Sequence, residues 1–502
     1  MKIGKDTIHE AAIEDIQEAF RLKEITAERV TELFLERIKA FNKKGPAVQA
    51  VITTNTKALK QARELDMYYK ENGTFKGPLH GIPFLVKDQA ETKDIVTTFG
   101  SSAFRDYVPQ KDAVVIQKLK TAGAIILAKA NLCDFAAGWF SFSSMQGHTK
   151  NPYDGTKDAG GSSAGTAAGI ASGMAPAGIG EDTGGSLRLP ASFNHLYTIR
   201  VTTGLISRTG FSPLVHFQDT PGPMAATVKD VAKTLDVIAG FDPEDKYTVT
   251  ASLSSDIGNY EESLADASLK GKRFGVFRDV FGKSAQAAPV NQLIDKKIEL
   301  LKNNGAAIIE DVHIPDLKSF LDSTSLYAAQ SKKDITAFLQ SRPDAPLQSF
   351  KEVYDNQAFH PLNDLFHIIA DGPDDPSASA DYYEQRQAQE AFRQEILHVM
   401  AVHELDALLF PDVQIPPPSY EELENETWSC LTFPTNTVIA SQSSLPAVSV
   451  PAGFTDEGLP VGMELLGRPL QEKQLLQLAY AYEQASPKRQ HPLLESYEKQ
   501  TE

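Results

Sequence analysis

The sequence predicts an α/β chain, one large domain with a central mixed β-sheet covered by helices on both faces. Three observations carry this reading. Short apolar runs of strand length recur along the chain, and stretches of helical periodicity separate several of them. No internal repeat and no glycine- or serine-rich linker divides the 502 residues. Alternation of this kind is what a sheet flanked by crossover helices requires, and large α/β enzymes often run long as one domain.

Residues 1–75 read as an N-terminal helical region. Thr7-Ile8-His9-Glu10 has the pattern of a capping box. Val30, Leu33, Phe34 and Ile38 make one apolar stripe at helical spacing. A strand over 47–54 and a charged helix ending near 72 follow. In residues 76–245, an apolar run over 81–86 stands behind glycine–proline punctuation, a helix is expected over 113–121, and a strand over 124–128. Residues 246–425 are more polar and are read as a variable, substrate-determining region. Strands are expected there at 273–277, 306–309 and 407–410, with helices near 290–304 and 381–404. Residues 426–502 return to core character, with strands at 447–450 and 461–466 and a helix near 470–485.

Bulk properties exclude several functions. The formal net charge of −17 repels phosphate backbones and anionic lipid, which argues against nucleic-acid and membrane-surface binding. The two cysteines, Cys133 and Cys430, exclude a disulfide framework and a cysteine zinc site. The N-terminus has no apolar signal segment. The uncharged stretch 159–180 is long enough to span a bilayer, but its Gly, Ser, Thr and Ala are too weakly apolar for that and indicate close packing. A cytoplasmic protein is expected, with no metal and no cofactor. The N-terminal helices offer a surface for a homodimer.

Two serine clusters lie on glycine-rich turns: Gly160-Gly161-Ser162-Ser163-Ala164-Gly165 and Asp182-Thr183-Gly184-Gly185-Ser186. Glycine is needed where backbone approaches a substrate closely, and a row of N–H groups beside a serine suits an oxyanion. Either cluster alone is equally well explained by tight helix–sheet packing. Upstream, Lys87 ends the apolar run Ile82-Pro83-Phe84-Leu85-Val86. Burying an ammonium is costly, so such a lysine either loses its proton easily and becomes a base, or pairs with a carboxylate. Adjacent Asp88 is a poor partner, because neighbours on a strand point to opposite faces.

These motifs, in order and at their spacing, resemble the amidase signature family. The resemblance runs from about residue 26 to 468. It includes Leu79-His80-Gly81-Ile82-Pro83 through Lys87-Asp88, Gly123-Ala124 through Lys129-Ala130-Asn131, Asn151-Pro152-Tyr153-Asp154, the stretch 160–191, and Gly458-Leu459-Pro460-Val461-Gly462. Ser162 and Ser186 are 24 positions apart and Lys87 precedes Ser162 by 75, which matches the family's triad spacing. The resemblance implies an amidohydrolase with Ser186 as acyl-forming nucleophile, Ser162 as bridge after a cis peptide, and Lys87 as base. It also implies that Thr183, Gly184, Gly185 and Ser186 offer N–H groups to the oxyanion. Ala136 and Ala137 would line the acyl pocket. Ser163 is expected at the substrate and, with Asp182, in holding the two loops. Arg188 is expected to hold its loop. The substrate would be a small amide, carbamate or ester.

After the nucleophile the chain departs from the common pattern, with Asn194-His195 and Thr198-Ile199-Arg200-Val201-Thr202-Thr203-Gly204. That departure leaves the triad untouched but weakens a link to the tRNA-linked glutamine amidotransferase subunit. An ammonia-releasing subunit for a partner protein therefore stands as the alternative. A second rival takes Gly161-Ser162-Ser163-Ala164-Gly165 as a G-x-S-x-G elbow with Ser163 as nucleophile and a histidine from His360, His367, His398, His403 or His491. It leaves Lys87 and Ser186 unexplained.

Overall fold

The computed structural model describes residues 3–5 and 7–494. Among them, one sheet is built from β1 (Val51–Thr54), β2 (Pro83–Lys87), β3 (Ile125–Ala130), β4 (Ala177–Asp182), β5 (Tyr197–Arg200), β6 (Thr220–Ala225), β7 (Arg273–Val276), β8 (Ala307–Ile309), β9 (Ala407–Pro411), β10 (Ala447–Phe454) and β11 (Pro460–Leu466). The spatial order is β1-β3-β2-β4-β6-β5-β10-β11-β9-β7-β8. Towards one end β3, β2 and β4 run parallel, and towards the other β9, β7 and β8 do. The strands between pair antiparallel, as does edge strand β1 with β3. The sheet is therefore mixed, as the sequence predicts.

The strands read from apolar runs appear within a few residues of expectation. The first is shorter, starting at Val51 and not at 47, because Ala47 and Gln49 take positive φ angles of 49° and 56° that no strand tolerates. The strands missed by sequence reading are β4, β5 and β6. β4 is Ala-Gly-Ile-Gly-Glu-Asp and β6 is Thr-Pro-Gly-Pro-Met-Ala, compositions that look like loop. They form strands because both faces are wholly buried, so packing outweighs local preference.

The N-terminal helices are α1 (Ile13–Arg21), α2 (Ala27–Phe41) and α3 (Ala58–Asn72), followed by α4 (Val114–Thr121). α2 starts at Thr26, whose hydroxyl accepts from the Arg29 N–H at 3.1 Å, and buries the Val30, Leu33, Phe34 and Ile38 stripe. The expected capping box at Thr7 does not form. Thr7 precedes a single 3₁₀ turn, Ile8–Glu10, and its hydroxyl accepts from the Gly4 N–H at 2.9 Å. The uncharged stretch 159–180 is buried throughout and includes α5 (Ala164–Ala171). A short α6 (Arg188–Phe193) follows β4. No helix among the described residues is long and apolar enough to cross a membrane.

Residues 246–425 do more than decorate the surface. β7, β8 and β9 complete the sheet. Helices Tyr327–Gln340, Phe350–Asp355 and Asp364–Asp371 build a second apolar cluster with Phe99, Phe104 and Phe135. Its Tyr327 reaches the turn after β4, where its hydroxyl faces Gly184.

Candidate active site

β2 and β4 are parallel neighbours, so their carboxyl ends lie side by side. In open α/β sheets this edge is where ligands bind. Lys87 is the last residue of β2 and is fully buried. Its Nζ donates to Ser162 Oγ at 2.8 Å and to the Glu181 carbonyl at 3.1 Å. Burial lowers the Lys87 pKa, an effect partly opposed by Glu181. Asp88 faces away and pairs with Lys129 at 3.1 Å, as strand alternation requires.

Ser162 and Ser163 stand at the head of α5, and the Gly161–Ser162 peptide is cis. The Gly161 N–H donates to the Trp139 carbonyl at 2.7 Å. Ser163 joins the two serine turns. Its N–H donates to the Ser186 carbonyl at 3.3 Å, and its hydroxyl lies 3.2 Å and 3.3 Å from the Glu181 O and N.

Ser186 lies on the turn between β4 and α6. Asp182 builds that turn. One of its carboxylate oxygens accepts from the Gly185 N–H at 2.9 Å and the other from the Leu187 N–H at 3.1 Å. Arg188 grips the same carboxylate at 3.1 and 3.2 Å, and Arg200 at 2.9 Å. Burial would raise the Asp182 pKa, but the two guanidiniums hold it well below the ordinary carboxylate range. Arg188 continues to Glu464 on β11 at 2.6 Å and to Ser441 at 2.7 Å. Asp182 and Arg188 thus sit where loop-holding residues are expected.

The Gly184–Gly185 peptide is fixed from both sides. Its carbonyl accepts from Trp139 Nε1 at 3.1 Å and Thr437 Oγ1 at 2.9 Å, while its N–H points at Asp182. A Cβ on Gly184 would lie 2.2 Å from the Tyr327 hydroxyl, so only glycine fits. Because the Gly185 N–H is engaged by Asp182, the N–H groups of Thr183, Gly184 and Ser186 are the better oxyanion candidates.

Ser186 opens onto a narrow, nearly closed cleft of about 10 Å³ lined by Ala136, Trp139, Gly184, Tyr327, Leu365 and Leu431, among other uncharged residues. Of the residues expected to touch substrate, Ala136 lines this cleft. Ala137 packs in the aromatic cluster beneath, and Ser163 bonds to Glu181 instead of facing the cleft. Trp139 is a wall, whereas Phe140 and Phe142 are core residues. Larger surface clefts, such as the one beside Tyr107 and Phe241, hold none of these groups.

The elbow rival fails on geometry. Residues 151–160 before Ser163 form no strand, and its hydroxyl bonds to backbone, not to histidine. Sequence reading did not find Glu181, Tyr327, Thr437 or Glu464. Glu181 was signalled by being charged beside the glycine turn, whereas the other three are too distant in sequence to be placed.

The family described as Amidase matches residues 29–476. The chain belongs to the amidase family. A probable amidase of Arabidopsis thaliana is 32% identical, covering 97% of this chain and 92% of its own. A glutamyl-tRNA(Gln) amidotransferase component from Carboxydothermus hydrogenoformans is 33% identical, covering 94% of this chain and 96% of its own. Among solved structures, the native peptide amidase of Stenotrophomonas maltophilia superposes with a TM-score of 0.84 at 30% identity, covering 97% of this chain and 99% of that one. This amidase therefore has the amidase-signature fold and is a carbon–nitrogen hydrolase acting on amides.

Proposed function

We propose that this amidase cleaves small uncharged amides through an acyl–enzyme on Ser186, with Ser162 as bridge and Lys87 as base. The observation that carries the reading is the 2.8 Å contact of the buried Lys87 amine with Ser162, beside a serine that opens on the cleft. A serine hydroxyl is a weak nucleophile until a positioned base takes its proton. Ser186 Oγ attacks the amide carbon while its proton passes to Ser162, whose own proton passes to Lys87. The carbonyl electrons move onto oxygen, where the N–H groups of Thr183, Gly184 and Ser186 receive them, while the Gly185 N–H stays with Asp182. Collapse expels the nitrogen as an amine that takes the proton back from Lys87 through Ser162. Water then reverses the sequence and frees the acid.

The lining residues favour a hydrolase over an ammonia-releasing subunit. Free glutamine carries an ammonium and a carboxylate, and the uncharged cleft residues offer a partner charge to neither. Apolar and aromatic walls suit aryl or alkyl acyl groups of amides, carbamates or esters. The two free, buried cysteines suit a reducing cytoplasm.

The test is a fluorophosphonate serine probe followed by peptide mapping, with turnover of a simple aryl amide by the isolated chain. A single adduct on Ser186, slowed in Lys87→Ala, is expected. An adduct elsewhere, or turnover that requires a partner protein, overturns the proposal.

A further inference from the structure

Glu181, the penultimate residue of β4, has no part in the mechanism above. It is wholly buried, and its Oε2 lies 3.6 Å from Lys87 Nζ. Its other oxygen lies 3.2 Å from Thr183 Oγ1 and accepts from the Thr220 N–H at 3.3 Å. Oε2 has no hydrogen-bond partner within normal distance among the described residues, although the Gln89 side chain faces the carboxyl, and Lys87 is the cation it faces. A carboxylate set beside a base without a strong hydrogen bond acts on it through charge.

The other titratable groups around Lys87 are already committed. Asp182 is held by Arg188 and Arg200. Asp219 accepts from Thr183 Oγ1 at 2.6 Å and from the Leu214 and Val215 N–H groups at 3.0 Å. The Cys133 thiol, from the loop after β3, is pushed well up by burial and stays neutral. Glu181 is the carboxylate left to answer a charge on Lys87.

We propose that Glu181 is the counter-ion of Lys87, a positioning residue that strengthens this base and sets the pH above which it acts. The inference rests on Lys87 being the base. As Ser186 attacks, Lys87 gains a proton and becomes an ammonium 3.6 Å from the Glu181 carboxylate. No proton moves to Glu181. The carboxylate stabilises the cation that forms, the part a buried carboxylate plays for imidazolium in a Ser–His–Asp triad. The same charge makes Lys87 hold its proton to higher pH in the resting site. Burial pushes the Glu181 carboxyl up, and the Lys87 cation pulls it back towards the ionised form.

The two effects are opposed, and together they give a signature that loosened packing does not. A base of lower pKa is weaker but is free at lower pH. The experiment is the kcat/KM profile of the full chain against pH on a simple aryl amide, for wild type, Glu181→Gln and Glu181→Thr. Both variants should lose about tenfold on the plateau, and their acid limbs should move to lower pH by about 1 unit. A lowered plateau with an unmoved acid limb means a structural role only and overturns the inference, as does an unchanged profile. If one variant fails to fold, the acid limb of the other decides. Lys87→Ala run in parallel separates the two readings. Its activity must fall by roughly 10³-fold for Lys87 to be the base, whereas a Lys87-dependent enzyme with unmoved Glu181 variants sinks only the counter-ion.

Discussion

Gly185 and Thr437 meet so closely that a Cβ on the glycine would lie 1.8 Å from the threonine Oγ1. The glycine also takes φ +121°, which L side chains rarely adopt. Its peptide is thereby locked between Trp139, Thr437 and Asp182, one residue before the reactive serine. Gly185→Ala should remove nearly all turnover while leaving secondary structure intact by circular dichroism. Adding Thr437→Ala should restore only part of the rate, because the backbone angle stays unfavourable. Wild-type kcat in Gly185→Ala would show that the turn is not held in this way.

Truncating the three chemical residues tests the acyl–enzyme route. Ser186→Ala should abolish turnover. Lys87→Ala and Ser162→Ala should each lose roughly 10³-fold, about 4 kcal/mol of transition-state stabilisation. The double variant should lose little more than either alone, since the groups act in series. Additive losses in steady-state kinetics would place them on separate paths.

The candidate site was legible in part, and for physical reasons. Lys87, Ser162 and Ser186 stand on local patterns: an apolar strand ended by a cation, and serines on glycine turns. β4, which leads into the Ser186 turn, was not legible, because its Ala-Gly-Ile-Gly-Glu-Asp sequence has neither the β-branched content nor the alternation of an ordinary strand. It is held as a strand by β2 and β6 on either side. Thr437 and Glu464 escaped for another reason. Each meets the site across more than 250 positions of chain, and no local pattern encodes that.

The pH dependence of the wild-type enzyme should follow the base. Burial lowers the Lys87 pKa, so the lysine becomes an uncharged amine below its ordinary range. Protonation inactivates it, so kcat/KM should climb as pH rises and level off once the amine is free. A rate that stays flat into acid pH would speak against a lysine base.

Cutting the ion network behind the turn should cost stability as well as rate. Asp182, Arg188 and Glu464 are all buried. Removing one partner leaves an uncompensated charge, so Arg188→Met should lower stability by about 3–5 kcal/mol in urea unfolding. A loss under about 1 kcal/mol would mean that the network is dispensable.

A separate pH effect should appear in stability. Asp230, in helix Val228–Ile238, accepts from the Ile13 N–H at 3.2 Å, and burial raises its carboxyl pKa to about 7. Its folded pKa lies above the unfolded value, so the protonated form is favoured by folding. That stability is present below the unfolded pKa and is lost as pH rises through about 7. Asp230→Asn, which cannot ionise, should therefore gain Tm over wild type at pH 8 but not at pH 4. An equal difference at both pH values would argue that Asp230 titrates normally.

The contact between Arg188 and Glu464 bridges 276 positions of chain. It carries a consequence for biosynthesis. The three residues that would perform the chemistry all precede β11, the strand that braces their turn, by a long stretch of chain, so they are synthesised well before it. A nascent or prematurely released chain would carry a complete set of reactive groups on an unbraced loop. Such a chain should hydrolyse amides poorly until β11 is in place to hold the turn.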